Sequence, residues 1–542
     1  MNSAKYADLS KEELIQLLEA REQRARFGLV WEANEIERDK ALNSDFVALD
    51  LLPELSCGNG PWRNLIIEGD NFDALRHLRM SFAGQVKCIY IDPPYNTGNR
   101  DFVYNDRFVD REDSWRHSTW CEFMYQRLVL AKDLLTQDGV IFVSIDDNEM
   151  FHLGLLMNRV FGESNLLAAI AWEKRYTRSN NAKMFYSVKD TVLAYRSSDA
   201  LNFLREQRTE KSDAIYKNHD ADPRGAWTSA SYVNPATKAQ RPNLVYSIRN
   251  PNTGEEVSHP THAWKFDRES HAEHVAAKLL WWGKKGTARL PRLKIFPKIE
   301  GAGLVPLDLW KHEETGTTDE GGQEVKAVFG YAAFTNPKPT RLIERILRLT
   351  TGPNDLILDF FGGSGTTAHA VLKLNAEDGG KRRFILVSNA EATVDEPDKN
   401  LCRDVCAQRV RRVIEGYGET PGLTGDFAFL RTRRIPVGSL LEIEHSQVWT
   451  ALQLAHRDTI LPFTETPYLW AGDENEAICY VPRFRKKDAP ALRKAMEGST
   501  AVTLYSWQPQ FVRQHIPAPH VTHLPIPETL ALRFGLHKGG KR

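Results

Sequence analysis

Asp92-Pro93-Pro94-Tyr95 sets a carboxylate, two rigid imide rings and a flat phenol within four residues, directly after the apolar run 86–91. That run reads as a strand, and open α/β sheets place their ligand crevices at the carboxyl ends of strands. The set suits an exocyclic amine on a base ring. The lone pair of such a nitrogen is delocalised into the ring, which makes it a poor nucleophile. A carboxylate accepting one N–H and a carbonyl accepting the other favour a tetrahedral nitrogen with its lone pair free. Asp92 would be the first acceptor and the Pro93 carbonyl the second, held still because proline fixes φ. Tyr95 offers a face for an extruded base, and stacking contributes about 1–3 kcal/mol per base. The competing reading is a proline-rich turn after a strand.

A second group, Phe361-Gly362-Gly363-Ser364-Gly365-Thr366-Thr367, follows a strand expected at 355–359. Small residues let the backbone approach a ligand closely, and the helix start beyond them offers unpaired N–H groups. Phosphate binding is the first chemistry such a turn suggests. No Gly-x-x-x-x-Gly-Lys-Ser/Thr occurs in the chain, however, so a P-loop nucleotide hydrolase is not supported. The bland alternative is a tight turn.

The elements around these groups alternate. Strands are expected at 64–68, 86–91 and 139–145 with helices at 71–80 and 125–135, and the pattern returns after 336 with a helix at 339–349, strands at 355–359 and 383–387, and helices at 368–374 and 402–414. Strands alternating with helices predict a parallel sheet covered on both faces. Between 172 and 328 the alternation disappears, leaving short strand-like pieces such as 244–248. Near the start, Ser10, Glu13, Leu14, Leu17 and Leu18 predict a capped helix ending near Gly28. Beyond 425 the pattern weakens into short strands and proline-broken loops.

Composition bounds the rest. The 542 residues suffice for several domains; 26% charged and 42% hydrophobic residues exclude a fibrous or mostly disordered chain. Six cysteines without a Cys-x-x-Cys pair point to reduced thiols rather than a disulfide scaffold. No apolar run has a membrane helix's length, and the first residues lack the blocks of a secretory signal. The 71 basic and 71 acidic side chains balance, which at first argues against a polyanionic partner. The sum hides a local excess: residues 201–300 hold 17 Lys or Arg against 11 Asp or Glu. The pairs His259/His262 and His271/His274 lack a Cys or carboxylate completing a ligand pattern, so no metal is expected.

Taken together, Asp92–Tyr95, the basic stretch, then Phe361, Gly363 and Gly365 reproduce a known order. The chain resembles the β-group of amino-methylating DNA methyltransferases, and within it the adenine-specific modification subunits of type III restriction–modification systems. Residues 64–75, 90–98, 134–147, 336–342 and 358–367 resemble the group's blocks. The resemblance implies an α/β, Rossmann-like methyltransferase fold with a mostly parallel seven-stranded sheet. It divides the chain into an N-terminal helical region (1–58), the catalytic half of the core (59–171), a target-recognition insert (172–328), the cofactor half (329–424) and a C-terminal region of unknown role (425–542).

The implied cofactor is S-adenosyl-L-methionine, the implied product 6-methyladenine in duplex DNA, made by direct transfer to a flipped-out base. Asp92, Pro93, Pro94 and Tyr95 then match the catalytic motif. Phe361, Gly363, Ser364, Gly365 and Thr366 match the turn along the cofactor, with Asp359 before it. Asp70 matches the acidic residue that contacts the cofactor's adenine, and Lys338 with Thr340 the block closing its methionine side; Asp92 borders the same space. The acidic residue expected to grip the ribose is replaced by Ser388, which leaves Asn389 and Glu391 as substitutes. Arg241, Arg249, Lys284, Lys285, Arg289 and Arg292, together with Lys294 and Lys298, are available for DNA, and Trp227, Tyr232, Trp264, Trp281 and Trp282 for the insert's core or the DNA. The resemblance also implies a homodimer, a restriction (ATPase/nuclease) subunit as partner, and a bacterial cytoplasmic, nucleoid-associated location. The rivals are a cytosine-N4 methyltransferase, an RNA or protein amide methyltransferase, and a recognition subunit that directs a nuclease.

Overall fold

The computed structural model describes residues 45–98, 103–104, 107–108, 116–178, 184–208, 213–297, 303–392 and 396–535. The helix expected from Ser10 and Lys298 lie outside the described residues.

Ten strands form one sheet: β1 (Asp45–Leu51), β2 (Leu65–Glu68), β3 (Val86–Ile91), β4 (Leu135–Ile145), β5 (Leu166–Glu173), β6 (Lys189–Arg196), β7 (Leu309–Trp310), β8 (Leu356–Asp359), β9 (Arg383–Ser388) and β10 (Ala428–Pro436). Their spatial order is β1-β10-β2-β9-β8-β3-β4-β6-β5-β7. Six of the nine pairings are parallel; β1 runs against β10, and β6 against both its neighbours. The expected seven strands span β2 to β5, and three more extend the sheet at its two edges.

The apolar runs are continuous because both faces of these strands are covered. Along β3, Ile89 and Ile91 face one core and Cys88 and Tyr90 the other, as strand alternation requires. The first core is closed by α1 (Asn71–Phe82), α2 (Arg116–Leu134) and α3 (Met150–Phe161). The second is closed by α4 (Thr318–Phe329), α5 (Thr340–Thr350), α6 (Thr366–Asp378) and α7 (Gln408–Glu415). On α5, Leu342, Ile343, Ile346 and Leu347 make the buried stripe.

The sheet reaches past the expected divisions. β1 lies inside the stretch expected to be helical, β6 and β7 inside 172–328, and β10 beyond 425. β6 and β10 are paired on both sides, and β1 and β7 form the sheet's two edges. The strand expected at 244–248 is instead a 3-10 turn at Pro242–Leu244 and a two-residue strand at Ile248–Arg249. Pro242 accounts for this, since it fixes φ and lacks a ladder donor.

Residues 213–297 have their own core of Tyr232, Tyr246, Ile248, Trp264, Trp282 and Leu293. Beyond β10, the strands Leu469–Gly472, Glu476–Val481, Ala501–Ser506 and Val521–Pro525 make a second, smaller sheet. All six cysteines are free and buried. Among the described residues no helix is long and apolar enough to cross a membrane.

Candidate active site

Chain direction across the sheet reverses between β8 and β3. From β8 the chain passes through α6 to β9 on one side; from β3 it passes through α2 to β4 on the other. Such a switch point opens a crevice at the carboxyl ends of the strands. Asp92 follows β3 and the glycine-rich turn follows β8, so both motifs open onto this crevice.

Asp92 is held at both oxygens. The Tyr95 hydroxyl donates to Oδ1 at 2.9 Å, and Lys338 Nζ lies 2.6 Å from Oδ2. Burial and the charge of Asp92 push the Tyr95 phenol well above its usual range, so it stays a hydrogen-bond donor. Lys338 also sits 5.1 Å from the Tyr95 ring centre. Trp120 Nε1 donates to the Pro94 carbonyl at 2.7 Å. No donor among the described residues reaches the Pro93 carbonyl, which remains available as an acceptor.

The turn after β8 is braced from below. Asp359 is buried and accepts from the Phe361 N–H at 3.0 Å and the Thr367 hydroxyl at 2.5 Å. Burial raises its pKa to about 7. Gly363 and Gly365 have φ of 47° and 79°. Phe361 extends toward α2, its ring 6.1 Å from Phe123.

Beneath the turn lies a polar cluster that the sequence does not announce. Arg409 of α7 is fully buried and donates to Ser364 Oγ at 3.0 Å, Thr366 Oγ1 at 2.8 Å, Glu324 Oε2 at 3.3 Å and His369 Nδ1 at 3.3 Å. Glu324 of α4 also accepts from the Thr340 amide and hydroxyl. Burial pushes the Glu324 pKa up and that of His369 well down. Thr340 was expected to close one side of the crevice, but its two donors are spent on Glu324 and its side chain is buried. The Ser364 and Thr366 hydroxyl oxygens likewise accept from Arg409, and both side chains are buried.

At the neighbouring strand ends, Asp70 caps α1 by accepting from the Phe72 N–H at 2.7 Å and is paired with Arg127 at 3.2 Å. Asn71 donates to the Phe360 carbonyl at 2.9 Å, tying this corner to the glycine turn. Ser388 is buried beside Glu68, whose carboxylate is engaged by Asn400 at 2.9 Å and Arg431 at 2.6 Å. Asn389 is exposed just past β9.

In the insert, Arg241, Arg249, Lys284, Lys285, Arg289 and Arg292 are exposed. Arg292 donates to Ser229 Oγ at 2.8 Å. Lys294 is not available to a polyanion, because it is buried between Asp220 at 2.5 Å and Asp222 at 2.7 Å. Trp227, Tyr232, Trp264 and Trp282 are core residues.

Asp70 and Asp92 therefore border the crevice with Asp359 buried beneath its turn, and among the described residues Arg127 is paired with Asp70 and Lys338 with Asp92. A glycine turn facing carboxylates is poorly matched to phosphates and suits a cationic ligand.

Three relatives are similar to this chain in sequence. The type III restriction-modification enzyme StyLTI Mod subunit of Salmonella typhimurium is 32% identical over 402 residues, covering 68% of this chain and 60% of its own length. The EcoPI Mod subunit of Escherichia phage P1 is 31% identical, covering 61% and 58%. The type II methyltransferase M.KpnI of Klebsiella pneumoniae is 31% identical, covering 66% of this chain and 88% of its own length. The chain thus spans about 60% of the length of the Mod subunits it matches. The DNA methylase family (N6_N4_Mtase) matches residues 86–395, which hold both motifs and the insert between them. On these matches, the family range holding both crevice motifs, the chain belongs to the DNA methylase family.

Proposed function

We propose that the protein transfers a methyl group from S-adenosyl-L-methionine to the exocyclic N6 amine of a flipped-out adenine in duplex DNA. The observation that carries this reading is the pairing of acceptors at the switch point: a fixed Asp92 carboxylate and a Pro93 carbonyl left open, beside a glycine turn rimmed by carboxylates. The names of the relatives, restriction-modification Mod subunits and a type II methyltransferase, support the same class.

The residues fit the cofactor. Gly363 and Gly365 would let the backbone approach its methionine part, with Asp359 buried behind that turn and Phe361 beside it, and Asp70 and Asn389 would hold the nucleoside end. S-Adenosyl-L-methionine supplies a methyl on a sulfonium, activated for in-line displacement that leaves a neutral thioether. Asp92 and the Pro93 carbonyl draw the amine's two N–H bonds, which frees the nitrogen lone pair. Asp92 keeps lone pairs beyond those used by Tyr95 and Lys338. It also takes the proton that the amine must lose as the N–C bond forms. Tyr95, fixed through its hydroxyl, presents its ring to the base. The insert's exposed cations, Arg241, Arg249, Lys284, Lys285, Arg289 and Arg292, hold the duplex backbone and read base edges.

Adenine is favoured over cytosine because the cytosine-N4 group more often carries serine where this chain has Asp92. A homodimer and a restriction subunit as partner belong to the same proposal, as does a bacterial cytoplasmic location. The test is transfer of labelled methyl to duplex DNA followed by digestion to nucleosides. Label in 6-methyladenine is expected; label in 4-methylcytosine moves the target, and label only in RNA or protein refutes the reading.

Asp359 adds a pH dependence. Its pKa, raised to about 7 by burial, lies above the unfolded value, so between about pH 4 and 7 the folded chain holds a proton that the unfolded chain has lost. Apo stability from this group falls through that window and is flat above it. A cationic cofactor favours the ionised carboxylate, so its affinity should rise about tenfold from about pH 6 to 7.5. Calorimetric titration should show this rise, and Asp359→Asn should flatten it.

A further inference from the structure

Asn96, next after Tyr95, is fully buried and takes a φ of 54°, a left-handed conformation uncommon for a residue with a Cβ. Its amide Nδ2 donates to Glu149 Oε1 and lies 3.3 Å from the Arg116 carbonyl. Glu149, at the N-terminus of α3, has no exposed surface. Its Oε1 also meets His117 Nδ1 at 2.7 Å, and its Oε2 lies 2.8 Å from His152 Nδ1. Three elements therefore meet at one buried carboxylate: the catalytic loop, the start of α2 and the start of α3.

Proton positions follow from the geometry. Arg116 Nε donates to His117 Nε2 at 3.2 Å, so that nitrogen carries the lone pair and Nδ1 carries the proton given to Glu149. A metal at this cluster would need the opposite tautomer of His117. Through Oε1 the arrangement is a hydrogen-bonded brace, while Oε2 meets His152 Nδ1 as a close contact without hydrogen-bond alignment. Burial and the Arg116 charge hold the His117 pKa down, while burial pushes that of Glu149 up.

The brace acts on the catalytic loop. Between Asp92 and Asn96 the chain is anchored by Tyr95 and Lys338 at the carboxylate, by Trp120 at the Pro94 carbonyl, and by Glu149 at the Asn96 amide. With Pro93 and Pro94 fixed in φ, these anchors together hold the loop that carries the Pro93 carbonyl, and the Asn96 tether fixes its far end. We propose that Asn96 and Glu149 are positioning residues for methyl transfer, the buried carboxylate holding the Asn96 amide and thereby aiming the Asp92–Pro93 acceptor pair at the amine. This rests on the methyltransferase reading above.

The test compares kcat and cofactor dissociation constant in full-length wild type, Asn96→Gly, Asn96→Asp and Glu149→Gln. Glycine adopts a positive φ freely, so Asn96→Gly keeps the backbone turn while removing the tether and leaving a small buried cavity. Its kcat should fall about 10- to 100-fold, as a small misplacement of reacting groups costs, with cofactor affinity within about twofold. Asn96→Asp sets two carboxylates together, and such a pair retains a shared proton on acidification. The groups facing that pair are Arg116, His117 and Cys121 from α2 and His152 from α3. The ratio of Asn96→Asp to wild-type kcat should therefore rise as pH falls from about 8 to 6. Glu149→Gln, which retains an acceptor, should lose less than Asn96→Gly. Wild-type kcat in Asn96→Gly, or a flat pH ratio for Asn96→Asp, overturns the positioning role. So does loss of wild-type activity on chelation with recovery on adding zinc, which would make the cluster a metal site. A wild type that transfers no methyl at all overturns the reading beneath it instead.

Discussion

Asp92→Ala should reduce methyl transfer by roughly 10³-fold or more while cofactor binding stays within a few-fold of wild type. Removing one preorganised group that stabilises charge in the transition state costs about 10²–10³. Here the lost group is also the proton acceptor, whose contribution is of similar size. Cofactor binding should survive because the glycine turn is braced by Asp359 and Arg409, neither of which touches Asp92. The substitution has a side effect that needs its own control. Lys338 is mostly buried and its ammonium lies against Asp92, so alanine leaves an unpaired cation beside Tyr95. Asp92→Asn keeps the volume and an acceptor for the Tyr95 hydroxyl but removes the charge. If transfer depends on the carboxylate, both variants lose activity alike; if alanine alone is inactive, displacement of Lys338 is the cause. Single-turnover transfer and equilibrium cofactor binding on the same preparations separate these outcomes. Undiminished transfer by Asp92→Ala would remove Asp92 from the mechanism.

What the sequence made legible follows from where each signal is written. β3, β8 and β9 read plainly because a strand buried on both faces is a short continuous apolar run, and each is followed by its chemistry within a few residues. β6 did not. Lys189-Asp190-Thr191-Val192-Leu193-Ala194-Tyr195-Arg196 is flanked by charges and follows a loop, and its place in the sheet depends on antiparallel partners on both sides. β1 and β10 find each other across almost 400 residues, a pairing that no local pattern encodes. α7 opens with Gln408-Arg409-Val410-Arg411-Arg412, three arginines within four positions. Only packing against Glu324, from 85 residues earlier, marks Arg409 as the buried one. Lys294 shows the converse. In a basic stretch it looked free for phosphate, yet its partners Asp220 and Asp222 lie over 70 residues upstream. Motifs at strand ends are local and readable; the long-range polar braces beneath them are not.

Gly365→Val should weaken cofactor binding by about 10²-fold or more, and should do so more severely than Gly363→Val. Gly365 ends the turn and caps α6 at a φ of 79°. A non-glycine residue in the left-handed region costs about 1–2 kcal/mol before any contact is counted. A Cβ there would also stand 3.0 Å from the Cys406 carbonyl oxygen and 3.3 Å from Val410. Both belong to the helical segment that carries Arg409, and the backbone at Cys406 cannot swing aside as a side chain can. Overpacking of this kind costs about 1–3 kcal/mol more, and a branched Val adds two further carbons. The molecule can relieve the strain only by displacing the turn, which moves the backbone that approaches the cofactor. Gly363 is also left-handed, but its Cβ would meet the Phe334 ring edge at 3.3 Å, and a ring can rotate away. The expected order of affinity is therefore wild type, then Gly363→Ala, Gly363→Val and Gly365→Val, measured by calorimetry alongside thermal unfolding. If strain is stored in the turn, affinity falls further than stability does, because the loop is displaced while the sheet behind it stays closed. Equal losses at the two positions would show instead that close backbone approach, shared by both glycines, outweighs the fixed carbonyl behind Gly365.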